Sequence, residues 1–107
     1  MNYITIETYA TNSGMKPFNK WLGKLDTNIR AIIRTRLDRV KLGNFGDCTI
    51  IKGGGGIGEI RIDVGPGYRI YFGKLETTIV ILLIGGIKKN QDRDIEKAKQ
   101  YWRECKG

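Results

Sequence analysis

The chain has 107 residues, with 19 lysines and arginines against 11 acidic residues and no histidine, so its formal net charge is +8. This length is typical of one domain, and a hydrophobic fraction of 40% can form a core, which excludes collagen-like and disordered classes. The absence of histidine excludes Ser-His and Cys-His nucleophile pairs and zinc sites built on histidine. We therefore expect residues 1–107 to form a single domain that works without imidazole.

The first part of the chain predicts one strand followed by two helices. Residues 3–9 alternate β-branched or aromatic residues with polar ones, which is the pattern of a strand. Pro17 suits the first turn of a short amphipathic helix. Asp26 or Thr27 can cap a second amphipathic helix, and Gly43 is a natural end for it.

The second part predicts short strands and a last helix. The strand-like segments are 49–51, 57–64, 68–72 and 77–84. The last of these is almost wholly apolar and therefore predicts a central strand, which Gly85 and Gly86 are expected to end. Apolar spacing from Asp92 onward predicts a C-terminal helix. The predicted fold class is α+β: an N-terminal strand, two helices, an antiparallel sheet of three to four further strands and a C-terminal helix, with the helices on one face of the sheet.

Cysteine usage and the apolar segments bear on location. Cys48 and Cys105 have no CxxC pairing, which favours reduced, buried thiols over a disulfide framework. The N-terminal segment lacks the basic and apolar regions of a signal peptide, and the apolar stretch 79–84 is far shorter than the roughly 20 residues that span a bilayer. We expect a cytoplasmic protein with no membrane association.

The positive charge is concentrated in the helical segment. Residues 15–41 contain eight lysines or arginines and two acidic residues, which accounts for +6 of the net charge. A solvated helix face is the simplest interpretation, but it does not explain a surplus so strongly of one sign. Such a cluster is typical of nucleic-acid and ribosome-associated proteins, and an acidic protein partner or a membrane surface fits the charge equally well. The candidate RNA-binding residues here are Arg30, Arg34 and Lys41.

A second basic group belongs to the predicted sheet. Arg61 lies on the polar side of its strand, and Arg69 and Tyr71 share one face of the next strand. Lys88 and Lys89 follow the apolar strand, next to the start of the last helix. Arginine and lysine side chains that converge there can hold a phosphate group, with Tyr71 as a further RNA contact, whereas an exposed charged sheet edge is the alternative.

Four segments together resemble a known family of proteins. They are PFNKWLGKLD (17–26), RLDRVKLGNFGD (36–47), GEIRIDVGPGYRIYF (58–72) and ILLIGGIKKNQDRDIEKAKQYW (81–102). In this order and spacing they look like the RelE/ParE toxin superfamily, and most closely the HigB-like, phage-derived addiction-module killer proteins. The resemblance implies a RelE-like fold and the toxin of a type II toxin–antitoxin pair. Many such toxins are ribosome-dependent mRNA endoribonucleases, whereas ParE-like members inhibit DNA gyrase; a basic binding module without toxicity is a third reading.

The resemblance also implies site residues. Arg61 matches a basic strand position of the family, Arg69 matches the arginine of its YR hairpin, and Lys88 or Lys89 matches the basic position after the last strand. The tyrosine that some relatives carry shortly after this pair is replaced here by the segment 90–93, so Tyr68, Tyr71 or Tyr101 are the candidates to substitute for it.

The mechanism implied by the resemblance needs neither a metal nor a cofactor. A ribose 2′-hydroxyl attacks the adjacent phosphate and gives a 2′,3′-cyclic phosphate and a free 5′-hydroxyl. Arg61 and Arg69 suit the neutralisation of the transition state, and Lys88, Lys89 or Asp92 are candidates for the proton transfers. The implied partners are a helix-turn-helix antitoxin, the ribosome and mRNA, with DNA bound only through the antitoxin complex.

Overall fold

The order of elements confirms the α+β prediction. The computed structural model describes residues 3–107. Its elements are β1 (Thr5–Thr8), α1 (Pro17–Gly23), α2 (Thr27–Lys41), β2 (Cys48–Ile50), β3 (Ile57–Ile62), β4 (Tyr68–Leu75), β5 (Ile79–Ile87) and α3 (Gln91–Lys106). A short 3₁₀ helix at Lys88–Asn90 joins β5 to α3.

The five strands form one sheet in the order β1-β5-β4-β3-β2. Strands β2 to β5 are antiparallel to their neighbours, whereas β1 runs parallel to β5, with Thr5 opposite Ile79 and Thr8 opposite Leu82. Helices α1 and α2 carry the chain from β1 to β2 at the opposite edge of the sheet, and the antiparallel strands β2 to β5 then bring it back beside β1. The apolar strand β5 lies inside the sheet, as its composition predicts.

The helices cover both faces of the sheet, so the prediction that they share one face was wrong. Helices α1 and α2 pack on a cluster that includes Phe18, Ile33 and Phe72. Helix α3 packs on a second cluster with Leu83 and Trp102. Because strands β3, β4 and β5 bury side chains on both sides of the pleat, each face needs its own cover.

Two adjacent glycines explain how close the helices come to β5. Strand β5 continues through Gly85 and Gly86, so the prediction that they end it was wrong. A Cβ on Gly85 would overlap the Trp21 ring of α1, and a Cβ on Gly86 would overlap the Asp94 carboxylate of α3. The glycines therefore admit one side chain from each face, a close approach that only glycine allows.

The pairing between β4 and β5 contains one irregularity. The pairing between β4 and β5 shifts after Tyr71, which lies opposite Ile84, while Phe72 lies opposite Leu82. The extra residue, Leu83, forms a bulge, and it is buried on the α3 side.

Within residues 3–107, no helix combines the length and apolar character that a membrane span requires.

Candidate active site

The candidate site lies on the α3 side of the sheet, where β3, β4 and β5 run side by side. Arg61 on β3 is directly opposite Arg69 on β4, and Arg69 is opposite Gly86 on β5. Directly opposed residues point to the same face with their Cβ atoms about 5 Å apart. The next row of the same face holds Glu59 opposite Tyr71. The hairpin register thus brings two arginines and a carboxylate together, next to a position that has no side chain.

Arg61 is held by three acceptors. Its Nη2 donates to Asp47 Oδ1 at 2.8 Å and to Thr49 Oγ1 at 2.6 Å, and its Nη1 donates to Glu59 Oε1 at 3.2 Å. The bond to Asp47 raises the pKa of the Arg61 guanidinium and lowers the pKa of the Asp47 carboxyl. Arg61 is therefore a fixed positive charge, and most of its donors are occupied inside the protein.

Arg69 is buried, with 4% of its surface exposed, and is incompletely paired. Its Nη1 donates to the Tyr68 carbonyl at 3.0 Å and lies 3.7 Å from Asp63 Oδ1. Its buried Nε has no acceptor among the described residues. A buried guanidinium with an unused donor is costly for folding.

Lys88 is the predicted basic residue that the structure brings to Arg69. Its backbone N–H donates to the Gly67 carbonyl at 2.9 Å, which ties the start of the 3₁₀ helix to the hairpin turn. Gly67 has a φ of +80°, and a Cβ there would lie within 4 Å of the Lys88 side chain and the Arg69 guanidinium. Lys88 is exposed, as are Lys89 and Asp92, which make no polar contact with the two arginines among the described residues.

Glu59 is a site residue that the sequence analysis missed. It is 1% exposed, and its second oxygen, Oε2, accepts a hydrogen bond from Gln91 Nε2 at 2.8 Å. Gln91 is the first residue of α3, so Glu59 links Arg61 to the start of that helix. The sequence offered only an alternation of Glu59, Arg61 and Asp63, which is the ordinary pattern of an exposed strand face.

The prediction that Tyr71 contacts RNA was wrong. Its side chain is fully buried, so it presents no surface to RNA in this structure. Its hydroxyl has no hydrogen-bond partner among residues 3–107. Burial, and then the nearby Glu59 carboxylate, raise the pKa of Tyr71 far above its usual range, so the phenol stays protonated.

Asp94 is the second acidic residue that the sequence analysis missed. It is 5% exposed, lies over Gly86, and its Oδ2 is buried without a hydrogen-bond partner among the described residues. Burial raises the pKa of this carboxyl, although Arg93, whose Nε is 3.6 Å from Oδ1, acts in the opposite direction. The buried charged residues of the described chain therefore all lie on the α3 side of the sheet.

The basic residues of α2 form a separate surface. Arg30 donates to Thr27 Oγ1 at 3.1 Å, and Lys41 lies 3.6 Å from Asp38. Arg34 is exposed. Helix α2 packs on the opposite face of the sheet from Arg61 and Arg69, so the structure does not bring the two predicted basic groups together.

The site combines cationic donors with the carboxylates that hold them. In residues 3–107, no group of three or more cysteine, aspartate or glutamate side chains is placed to hold a metal ion. Arg69, with Arg61 beside it and Lys88 at the turn, provides positive charge and planar donors on one face. This arrangement suits the binding of a phosphodiester oxygen and the stabilisation of negative charge on it.

Comparison with known proteins identifies the family. Residues 20–103 match the family described as phage-derived protein Gp49-like. A protein from Haemophilus influenzae, described as an uncharacterized protein, is 46% identical over 83 residues, which cover 77% of this chain and 82% of that protein. The matched region contains all the residues of the candidate site. The chain therefore belongs to the phage-derived Gp49-like family, a RelE-like toxin-type family.

Proposed function

We propose that this protein is the toxin of a type II toxin–antitoxin pair and that it cleaves mRNA on the ribosome. The observation that carries the proposal is the buried Arg69, which has an unused donor and lies directly opposite Arg61. Membership of a RelE-like toxin-type family supports the toxin class, and the HigB-like motifs of the sequence favour the RNase activity over other modes of toxicity.

The reaction that fits these residues is an internal transesterification of RNA. The 2′-oxygen of a ribose attacks the adjacent phosphorus and loses its proton, and the bond from phosphorus to the 5′-oxygen breaks. The products are a 2′,3′-cyclic phosphate and a 5′-hydroxyl that has gained a proton. Arg69 is suited to donate to a non-bridging oxygen of the phosphorane, while Arg61 adds a fixed positive charge.

We assign the two proton transfers to exposed side chains in the segment that follows β5. Lys88, Lys89 and Asp92 are the candidates, and Lys88 is favoured because it lies beside Gly67 and Arg69. Tyr71 is excluded as a base by its burial and raised pKa. Alignment of the substrate by the ribosome would supply part of the rate enhancement through positioning.

The partners that follow are also part of this proposal. A helix-turn-helix antitoxin would neutralise the toxin, and DNA would be bound only through that complex. The α2 surface, defined by Arg30, Arg34 and Lys41, would contact the phosphate backbone of ribosomal RNA, independently of its sequence. The protein would then act in the cytoplasm.

The test compares wild type with Arg69→Met in a translating extract, with RNA 5′ ends mapped across the messages. We expect cleavage at codons with wild type and a loss of about 10²–10³-fold in rate with Arg69→Met, because one preformed donor to the transition state is removed. Arg103→Met, an exposed arginine near the far end of α3, is the matched control and should cleave as wild type does.

Three results would contradict the proposal. The first is intact message together with loss of DNA supercoiling in cells that produce the protein, which would indicate gyrase inhibition. The second is toxicity that survives the triple substitution of Arg61, Arg69 and Lys88. The third is harmless production of the folded wild-type protein without any antitoxin, which would indicate a binding module.

A further inference from the structure

Arg61 is held by acceptors of two different kinds. Asp47, directly before β2, and Thr49, within β2, accept from its Nη2, and both of these residues are exposed. Glu59, on the same strand as Arg61, accepts from its Nη1 at 3.2 Å and is 1% exposed. Water competes for exposed contacts, whereas it has little access to a buried carboxylate. Glu59 is therefore the acceptor that is sheltered from solvent.

The donors of Arg61 are nearly all assigned. A guanidinium has five N–H groups in one plane. Nε donates to Asp47 Oδ1 at 3.1 Å, Nη2 donates to Asp47 and to Thr49, and Nη1 donates to Glu59. The second N–H group of Nη1 has no acceptor among residues 3–107. Glu59 thus binds the nitrogen that carries the remaining donor, and because the group is planar, this bond fixes the direction of that donor.

Glu59 is itself fixed by α3. Gln91, the first residue of that helix, donates from Nε2 to Glu59 Oε2 at 2.8 Å, so each oxygen of the carboxylate has one partner. A buried carboxylate oxygen that lost its partner would turn toward another donor, because an unsatisfied buried acceptor is costly. The bond from Gln91 therefore keeps Glu59 in the orientation in which it meets Arg61.

We infer that Glu59 and Gln91 are positioning residues, which orient the free donor of Arg61 toward the scissile phosphate of RNA. This inference rests on the proposed RNA cleavage. Glu59 is too deeply buried to contact RNA, so its effect on the reaction passes through Arg61, and the effect of Gln91 passes through Glu59. Stabilisation of the transition state depends on the direction of each donor, and a displacement of about 1 Å costs up to about 10²-fold in rate.

A purely structural role for the two residues is the alternative. The bond between Gln91 and Glu59 also ties α3 to β3, so its loss would loosen the helix. A loosened protein loses activity in proportion to the fraction that is unfolded. A positioning role instead lowers the maximal rate of the folded protein and leaves its affinity for the substrate unchanged, since only the transition state uses the exact direction of the donor.

The experiment measures single-turnover cleavage of mRNA on programmed ribosomes at increasing protein concentration. Gln91→Leu should lower the maximal rate by about 10-fold and change the half-saturating concentration by less than about twofold. Glu59→Leu should lower the maximal rate at least as much, and adding Gln91→Leu to it should cause no further loss, because Gln91 acts through Glu59. Gln100→Leu is the matched control: it changes an exposed glutamine of α3 that also donates to a carboxylate, and it should cleave as wild type does.

Nuclear magnetic resonance of the Arg61 side chain gives a readout that needs no RNA. The Nη1 protons of Arg61 should exchange with water faster in Gln91→Leu than in wild type, and at the wild-type rate in Gln100→Leu. Urea denaturation measures the folded fraction of every variant. Gln91 is only half-buried, so Gln91→Leu tests the inference even if Glu59→Leu does not fold.

The opposite outcomes separate the two proposals. Wild type that leaves mRNA on the ribosome intact overturns the proposed function, and the inference with it. Cleavage by Gln91→Leu at the maximal rate of wild type overturns the inference alone. The inference also fails if the losses of Gln91→Leu and Glu59→Leu multiply in the double variant, or if the loss of rate equals the unfolded fraction.

Discussion

The two faces of the sheet bury different kinds of side chain. The buried side chains of the face under α1 and α2 are hydrophobic, and they include Ile60, Ile62, Ile70, Phe72, Val80 and Leu82. The face under α3 has an apolar half around Leu83 and Trp102, but it also contains the buried Glu59, Arg69 and Asp94. Burial of apolar surface stabilises the fold, whereas burial of incompletely paired charge opposes it. The comparison indicates that the face under α1 and α2 stabilises the fold, whereas the buried charges of the candidate site destabilise the face under α3.

The largest effect is expected on the apolar face. Ile70 is fully buried between α1, α2 and the sheet, so Ile70→Ala removes apolar contacts and leaves a cavity. We expect the free energy of unfolding to fall by about 3 kcal/mol. Urea denaturation followed by circular dichroism measures this loss. A change below 1 kcal/mol would break the assignment of stability to this face.

The neighbouring residue on the other face should behave in the opposite way. Arg69→Met replaces a buried, partly unpaired guanidinium by an apolar side chain of similar length, and Asp63 stays hydrated because its side chain is 76% exposed. We expect the free energy of unfolding to rise by about 1–2 kcal/mol while RNA cleavage is lost. The same denaturation experiment applies, and a variant that is less stable than wild type would show that Arg69 serves the fold.

The buried Asp94 carboxyl predicts a pH-dependent effect. Because burial raises its pKa in the folded state, the folded protein holds the proton more tightly, and stability is lost as the pH rises through that raised value. Asp94→Asn cannot ionise and should be more stable than wild type by about 1 kcal/mol at pH 7. Below about pH 3 the carboxyl is neutral in both states, so the advantage should disappear.

Urea denaturation of wild type and Asp94→Asn at pH 7 and pH 3 makes this comparison. Glu96→Gln, which neutralises an exposed carboxylate on the same helix, is the control, and it should change stability by less than about 0.5 kcal/mol at either pH. An advantage of Asp94→Asn that is equal at both values would show that ionisation of Asp94 is irrelevant.

The smallest effect separates two buried tyrosines. The Tyr71 hydroxyl has no partner among the described residues, so Tyr71→Phe should change the free energy of unfolding by no more than about 0.5 kcal/mol. Tyr9 donates to Glu104 at 2.7 Å, a bond that raises the pKa of Tyr9 to about 12, so Tyr9→Phe should destabilise the protein. Thermal unfolding of both variants tests this order, and equal losses would contradict it.

The fold was largely predictable because its signals are local. The alternation in β3 and β4 and the turn at residues 65–67 predict the hairpin, and the hairpin register places Arg61 opposite Arg69. The position of α3 was not predictable from such signals. Alternation marks Glu59 and Arg61 as a polar face, and only the packing of α3 against that face buries Glu59.

The same limit applies to the other residues of the site. Asp94 lies in the first turn of α3, where acidic residues are common because they interact favourably with the helix dipole. An aspartate at this position therefore does not predict that its side chain is buried. Tyr71 was expected to contact RNA because it shares a face of β4 with Arg69. The structure confirms the shared face, but the packing of α3 decides which side chains on it are buried, and Tyr71 is one of them. Side-chain direction follows from sequence periodicity, whereas exposure depends on which distant element packs there.

The glycine pair in β5 has a mechanical consequence. Trp21 rests on Gly85 from one face and Asp94 rests on Gly86 from the other, so α1 and α3 touch the strand through one shared peptide unit. No flexible side chain on β5 lies between them to absorb a displacement. A shift of either helix would therefore move the backbone opposite Arg69 and alter the geometry of the candidate site.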